Sequence, residues 1–448
     1  MTTTTAEKNF TIPHRFSPRK YQLNMMGAIP SGYKRYVGIW HRRAGKDKTA
    51  FNFVVSQAIQ KKAVYYYFFP TYRQGRKVLW EGIDPRTGLK YTDHIPLTLI
   101  AKKNDSEMKI ELVNGSLIQV VGTDNWDSVM GTPPLGCVFS EYSLQDPRAW
   151  DYIRPILREN DGWAIFIYTP RGRNHGYTLF KMAVKSADWY VEKLTVNDTR
   201  RDDGTAVITD ADIDKDRSEG MDEDLIQQEY YCSFEGAVVG AYFSKQLQQS
   251  RKDGRITRVP YVPGIPVDTY WDLGMDDSTT IWFIQSLHTK EIRVIDFIED
   301  SGEGIAHYAK ILKEKPYVYG EHFFPHDVEV RELGTGKSRK EVAENYGIKP
   351  LTTIERPRDS EAVNAGIEAG RNFLSRCYFD DQKCQRGLEA LESYHKEYDE
   401  ENKVFRNRPM HDWSSHAADA FRTFAMGFKE RLRIQKTKPK PKKHWMAA

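Results

Sequence analysis

The chain has 448 residues and a formal net charge of +4, with 40% hydrophobic and 29% charged residues. At roughly 100 to 200 residues per domain that length calls for two or three domains; no run of about 20 apolar residues is present to span a bilayer, and the polar start MTTTTAEKNF lacks a signal peptide's apolar stretch, so the expectation is a protein of the cytoplasm with no membrane partner. Its four cysteines are scattered without CxxC spacing, which argues against a zinc ribbon or a redox pair.

Along the first half, strand-like apolar runs alternate with helical stretches: YKRYVGIW, AVYYYFFP, SLIQVVG, LGCVFSEY and WAIFIYTP. That rhythm predicts an α/β domain with a mainly parallel sheet over 1–199, whose ligands sit at the C-terminal ends of the strands. YKRYVGIW leads into HRRAGK and then DKTAFNFVVSQAIQ, the strand, turn and helix of a phosphate-binding P-loop. Backbone N–H groups and a helix N-terminus surround phosphates there, and a lysine adds a point charge. Gly45 and Lys46 fit this pattern, and Arg42, Arg43 and Lys48 concentrate positive charge beside them. The alternative, an exposed basic turn, explains less of the context. Two positions depart from the usual GxxxxGK[ST] spelling, because Trp40 replaces the first glycine and Asp47 the hydroxyl residue.

The downstream strand LGCVFSEY places Ser140 where an aspartate ordinarily holds Mg²⁺, with Glu141 next to it. Carboxylate and hydroxyl therefore exchange places between loop and strand, and the expectation is that Asp47 and Ser140 together still serve the metal, directly or through water. Glu141 is then the residue that orients attacking water. Gln22, at the end of FSPRKYQ, offers an amide able to read adenine, and Thr169, after WAIFIY, a hydroxyl able to sense the γ-phosphate.

Composition turns acidic and poor in large apolar residues from Arg200 to Asp224, so 200–261 is expected to be a linker or subdomain. A second α/β block over 262–430 begins with VDTYWDLGMDDSTTIWFIQSL, continues through EIRVIDFIED, the helix IAHYAKILKEK and the strand YVYGEHFFPHD, and ends in HDWSSHAADAFRTFAMGF at helical spacing. Asp272, Asp327 and Asp419 fall at the ends of three of these elements, as hydrolysis of a phosphodiester by two divalent ions requires. This spread suits an RNase H-like fold. Asp419 is preferred as third ligand because small residues surround it; Asp412 and Glu299 stand in reserve, Asp276 and Asp277 belong to a turn, and His326 and His411 flank the acids. LGTGKSR, a literal G-K-S, lies inside this block without a preceding strand, and its Lys337 and Arg339 are expected either to contact DNA phosphates or to sit on an uninvolved loop. The tail 431–448 carries seven Lys or Arg and no acid, so the rest of the chain is slightly acidic. Its alternating proline and lysine predict disorder, serving either solubility or an anionic partner.

With FSPRKYQ, HRRAGKDKTA, FFPTYRQGRK, VFSEYSL, TPRGRNHGY, QEYYCSFEGA, WDLGMDDST, PHD and SSHAADAFR in order from about Phe16 to Phe428, the chain resembles the large terminase subunits of tailed bacteriophages. The resemblance implies an ASCE-type ATPase that drives double-stranded DNA into a procapsid, followed by an RNase H-like nuclease that cuts concatemers. It implies ATP with Mg²⁺ at the first site and two Mg²⁺ or Mn²⁺ at the second. By resemblance Arg42 is the loop arginine acting in hydrolysis, Lys46 the phosphate-binding lysine, Glu141 the catalytic glutamate, Thr169 the coupling residue, and Asp272, Asp327 and Asp419 the nuclease acids. It further implies a small terminase subunit, a portal protein and a homo-oligomeric ring of about five copies, all in the host cytoplasm and outside the mature virion. Two rivals remain open from the residues: a DNA repair helicase fused to a nuclease, and a DNA-binding virion component without activity.

Overall fold

Parallel strands covered on both faces read as unbroken apolar runs, and such runs form the centre of the first sheet. A computed structural model of the chain describes residues 15–428 apart from 125–128, 130, 236–239, 275–277, 288, 290, 332–335, 356–358 and 400–403. Asp276, Asp277, part of LGTGKSR and the basic tail therefore lie outside the described residues. The chain divides into two compact units between Ala241 and Tyr242, within the segment expected to join two domains.

In the first unit the strands are β1 (Arg35–Trp40), β2 (Val64–Phe69), β3 (Ile100–Asn104), β4 (Lys109–Leu112), β5 (Leu117–Gly122), β6 (Pro134–Ser140), β7 (Trp163–Tyr168) and β8 (Trp189–Leu194). They form one sheet in the order β3-β4-β5-β2-β6-β7-β1-β8. From β5 to β8 every pairing is parallel, while β3 and β4 extend the edge as an antiparallel hairpin. β7 thus separates the loop strand β1 from the acidic strand β6, the strand order of an ASCE-type sheet. Helices α1 (Leu23–Ala28), α2 (Lys46–Gln60), α3 (Tyr72–Gly75), α4 (Arg148–Glu159) and α5 (His175–Ala183) accompany the sheet. Tyr36, Trp40, Phe51, Phe53 and Tyr67 fill one core, while Val37, Ile39, Phe139, Trp150 and Phe166 fill another. Each such side chain contributes about 1.5–3 kcal/mol on burial. Close packing is met at Gly136, opposite Trp163 in the β6–β7 register, where a Cβ would lie 2.2 Å from the indole ring.

The acidic stretch after residue 200 is more ordered than its composition suggests. Thr209 caps α6 (Asp210–Ser218) through a capping box with Asp212, and Asp222 caps α7 (Glu223–Glu229). Val196, Ile213 and Ile226 give these short helices a small core of their own. Acids that look like a solvated linker are here the first-turn residues of helices, where the macrodipole favours negative charge.

The second unit opens with α8 (Ser244–Lys252) and β9 (Ile256–Thr257) and is built on β10 (Val267–Asp272), β11 (Ser278–Ser286), β12 (Ile292–Ser301), β13 (Tyr319–Pro325), β14 (Leu351–Ile354) and β15 (Cys377–Asp380). Its sheet runs β14-β13-β10-β11-β12-β15-β9. β10, β11 and β12 are antiparallel neighbours, and β13 and β14 join β10's side in parallel, the order of an RNase H-like core. Helices α9 (Ile305–Glu314), α10 (Arg339–Asn345), α11 (Ser360–Leu374), α12 (Gln385–Ser393) and α13 (Ser415–Gly427) complete the unit, together with a ribbon of β16 (Lys396–Asp399) and β17 (Val404–Pro409). α13 is fastened to β11 by two bonds, from Thr280 Oγ1 to the His416 carbonyl (3.0 Å) and from Trp282 Nε1 to the Ala417 carbonyl (2.9 Å). Buried Ala417, Ala418 and Ala420 permit that close approach. Among the described residues no helix is long and apolar enough to cross a membrane.

Candidate active sites

The first site forms where β1, β6 and β7 end. The loop leaving β1 is anchored by its own backbone, with the His41 N–H bonded to the Leu194 carbonyl and the Arg42 N–H to the Glu229 carbonyl, both at 2.9 Å. The loop passes through left-handed backbone at Arg43 and Gly45 (φ 71° and 81°). At Gly45 a Cβ would lie 3.0 Å from Gln22 Nε2, so glycine serves both the turn and the close approach. Gln22 is buried; its amide donates to the Ala44 carbonyl (3.1 Å) and accepts from the Arg19 N–H (3.0 Å). Tyr21 OH donates to the same Ala44 carbonyl (2.9 Å), so this segment braces the loop.

Lys46 opens α2, whose first N–H groups have no intrahelical partner. Its ammonium lies 3.0 Å from Glu141 Oε1 and 3.2 Å from Thr169 Oγ1, bringing together three residues that stand far apart in sequence. Thr169 in turn donates to the Trp40 carbonyl (3.2 Å). Burial disfavours the Lys46 charge, but the carboxylates of Glu141 and Asp47 outweigh it and raise the pKa. At Glu141 burial likewise opposes ionisation, yet Lys46, Arg171 and Arg42 hold the carboxyl below its ordinary value. Glu141 takes left-handed backbone (φ 52°), and its buried Oε2 has no hydrogen-bond partner among the described residues.

Asp47 accepts from Ser140 Oγ by a direct hydrogen bond and from Tyr67 OH at 3.1 Å. Burial raises its pKa and neighbouring Glu141 adds to the rise, against the opposing pull of Lys46. Arg43 is exposed at the loop tip. Lys48 turns to a buried carboxylate, Asp84, and stands 5.7 Å from the centre of the Phe16 ring. Two residues that the sequence left without roles now enter. Glu229 receives Arg42 Nε on one oxygen and an Arg171 guanidinium N–H on the other, both at 2.5 Å. Burial opposes the Glu229 charge, but Arg171 and Arg42 hold its carboxyl down at about 2. Both residues lie in motifs quoted above, TPRGRNHGY and QEYYCSFEGA, but their pairing over 58 residues carries no local signal.

The second site is a cavity of about 480 Å³ in the second unit, lined by Asp272, Asp327 and Asp419 among others. Asp272 ends β10, Asp327 follows β13, and Asp419 projects from α13. Asp272 faces His416 (3.4 Å) and Asp327 faces His326 (2.7 Å). Asp419 stands 3.1 Å from the Arg422 guanidinium, yet its buried Oδ1 makes no hydrogen bond among the described residues. Burial, and then the neighbouring Asp272 charge against the pull of Arg422, raise its pKa to about 6. Like charges facing an orphaned carboxylate oxygen are the setting that a divalent cation relieves. Among the described residues no three His, Cys, Asp or Glu side chains stand close enough to enclose a single ion, so these acids line a shared cavity and form no closed cage.

The reserve acids are engaged elsewhere. Glu299 is ion-paired with Arg386 (2.6 Å), and Asp412 accepts from the Ser414 N–H (2.9 Å) at the entry to α13. In LGTGKSR, Ser338 caps α10 by a capping box with Glu341, so the hydroxyl of the literal G-K-S holds a helix terminus. Arg422 was not singled out from the sequence, although its i+3 spacing puts it on the same helix face as Asp419.

No protein-family profile matches the chain. A curated relative, the terminase large subunit of Escherichia phage T5, is 23% identical over 428 residues, covering 91% of this chain and 90% of that one. Among solved structures, the large terminase of a thermophilic bacteriophage in complex with ADP is 14% identical with a TM-score of 0.40, covering 91% of this chain and 98% of its own. The large terminase of bacteriophage HK97 is 10% identical with a TM-score of 0.43, covering 92% and 94%. The nuclease domain of the P22 large terminase is 16% identical with a TM-score of 0.31, covering 39% and 88%.

Proposed function

We propose that this chain, a homologue of the large terminase subunits of tailed bacteriophages, hydrolyses ATP in its first unit to drive double-stranded DNA into a procapsid and cuts concatemeric DNA with its second. The observation that carries the reading is the meeting of Lys46, Glu141 and Thr169 at the C-terminal ends of parallel strands. Loop N–H groups and Lys46 bind the triphosphate, Glu141 orients the attacking water through its unpaired oxygen, and Thr169 links the γ-phosphate position to β1. Asp47 and Ser140 are the residues that would hold Mg²⁺, which neutralises charge on the phosphates. Arg42, tied to Glu229, lies beside the same phosphates; Gln22 shapes the adenine side, while Arg43 and Lys48 add positive charge around the loop.

In the second unit Asp272, Asp327 and Asp419 would hold two Mg²⁺ or Mn²⁺ ions, with Glu299 and Asp412 outside that set. Bound there, such ions would stabilise charge on the attacking and leaving oxygens of an in-line displacement. Its antiparallel sheet centre is not a second ATPase sheet, which weighs against a two-motor helicase. The natural partners are then DNA, a small terminase subunit, the portal and further copies in a ring of about five, in the host cytoplasm. DNA-stimulated ATPase and plasmid cleavage, measured on wild type, Lys46→Ala and Asp327→Ala, test the reading. The first variant loses ATP hydrolysis alone and the second cleavage alone; loss of neither activity would overturn it.

A further inference from the structure

The acidic cavity contains a cation that the reaction scheme above leaves unused. Among its described lining residues Arg422 is the sole Lys or Arg, set against the carboxylates of Asp272, Asp327, Glu355, Asp359 and Asp419. Its side chain is only 16% exposed, so it is not a solvated surface arginine. The packing of α11 makes room for it: at Gly366 a Cβ would lie 3.4 Å from Arg422 Cδ and 3.6 Å from Cγ, so the stem lies along a helix that has no side chain there. The guanidinium is ion-paired with Asp419 Oδ1 at 3.1 Å, yet among the described residues that oxygen receives no hydrogen bond, so the contact is one of charge and leaves N–H donors for a second anion.

A DNA backbone entering this cavity brings anionic phosphate against five carboxylates. Divalent ions offset part of that repulsion, and a guanidinium offsets more because it presents two parallel N–H donors to phosphate oxygens. We propose that Arg422 is a catalytic residue of the nuclease that binds the non-bridging oxygens of the scissile phosphodiester, with Gly366 providing the space its stem needs. The proposal rests on the nuclease reading of the cavity. No bond is made or broken at Arg422; it binds the phosphate and carries charge as the displacement proceeds.

The test uses the full chain and a short DNA duplex in EDTA, with affinity measured over a range of salt. Arg422→Gln should reduce the slope of log affinity against log salt by about 0.9, the value of one phosphate contact. Arg422→Lys should keep the slope, because charge remains, while Mn²⁺-dependent cleavage falls at least tenfold for want of the two-pronged contact. An unchanged slope in Arg422→Gln would show that Arg422 serves only as a counter-charge for Asp419 and would overturn the proposal. Should Arg422→Gln fail to fold, wild-type cleavage by Arg422→Lys overturns it equally. The nuclease reading is judged separately: Asp327→Ala cleaving like wild type defeats that reading, whatever the salt slope.

Discussion

Ser140 Oγ donates a hydrogen bond directly to the Asp47 carboxylate across 93 residues of sequence. Loop and strand have therefore exchanged the usual hydroxyl and carboxylate without losing their contact. Asp47→Thr and Ser140→Asp should each lower Mg²⁺-dependent ATP hydrolysis, and the double exchange should recover part of it. Turnover measured over a Mg²⁺ titration checks this; a double variant no better than either single one would contradict the shared role.

Glu141 has one oxygen on Lys46 and the other buried, without a hydrogen-bond partner among the described residues, as the proposed role on water needs. On the proposed ATPase role, Glu141→Gln keeps the shape but removes the base. ATP hydrolysis should fall by roughly 10²–10⁴ while nucleotide binding, read by fluorescence titration, persists. A variant that loses binding and turnover together would point to a structural role.

Glu229 ties Arg42 to Arg171, and its carboxyl is held at about 2. Because the folded pKa is depressed, its stabilisation is present above the unfolded value near 4.5 and is lost as pH falls from there towards 2. At pH 7 the shift corresponds to about 3 kcal/mol. Urea unfolding of wild type and Glu229→Gln should differ by an amount of that order at pH 7 and converge near pH 2.

Asp419 shows the opposite sign. Its folded pKa, about 6, lies above the ordinary 3.8, so the metal-free fold gains stability as pH falls through 6 and loses it as pH rises. Asp419→Asn should therefore melt higher than wild type at pH 7 in EDTA, by roughly a few degrees, while losing metal-dependent cleavage. Equal melting temperatures at pH 7 and pH 5 for both proteins would mean the carboxylate is not under that pressure.

Much of the first sheet was legible because β1, β2, β6 and β7 are largely apolar runs, as strands covered by other elements must be. The edge strands gave no such signal. β3 reads IAKKN with an exposed centre and β8 reads WYVEKL, each half solvated. Helices α6 and α7 were hidden by their acidic composition, which resembles a linker until Thr209 and Asp222 are seen as caps.

Local patterning determined the α/β alternation, the strand–turn–helix around Lys46, the acid after β6 and the carboxylates ending β10 and following β13, since periodicity and strand-end position are properties of neighbouring residues. Tertiary structure alone decided which charges meet: Lys48 with Asp84, Glu229 with two arginines, Glu299 with Arg386, and Arg422 beside Asp419 over the Gly366 gap. Electrostatic pairing depends on distance through space and on shared burial, and most of these partners lie 36 to 187 residues apart along the chain.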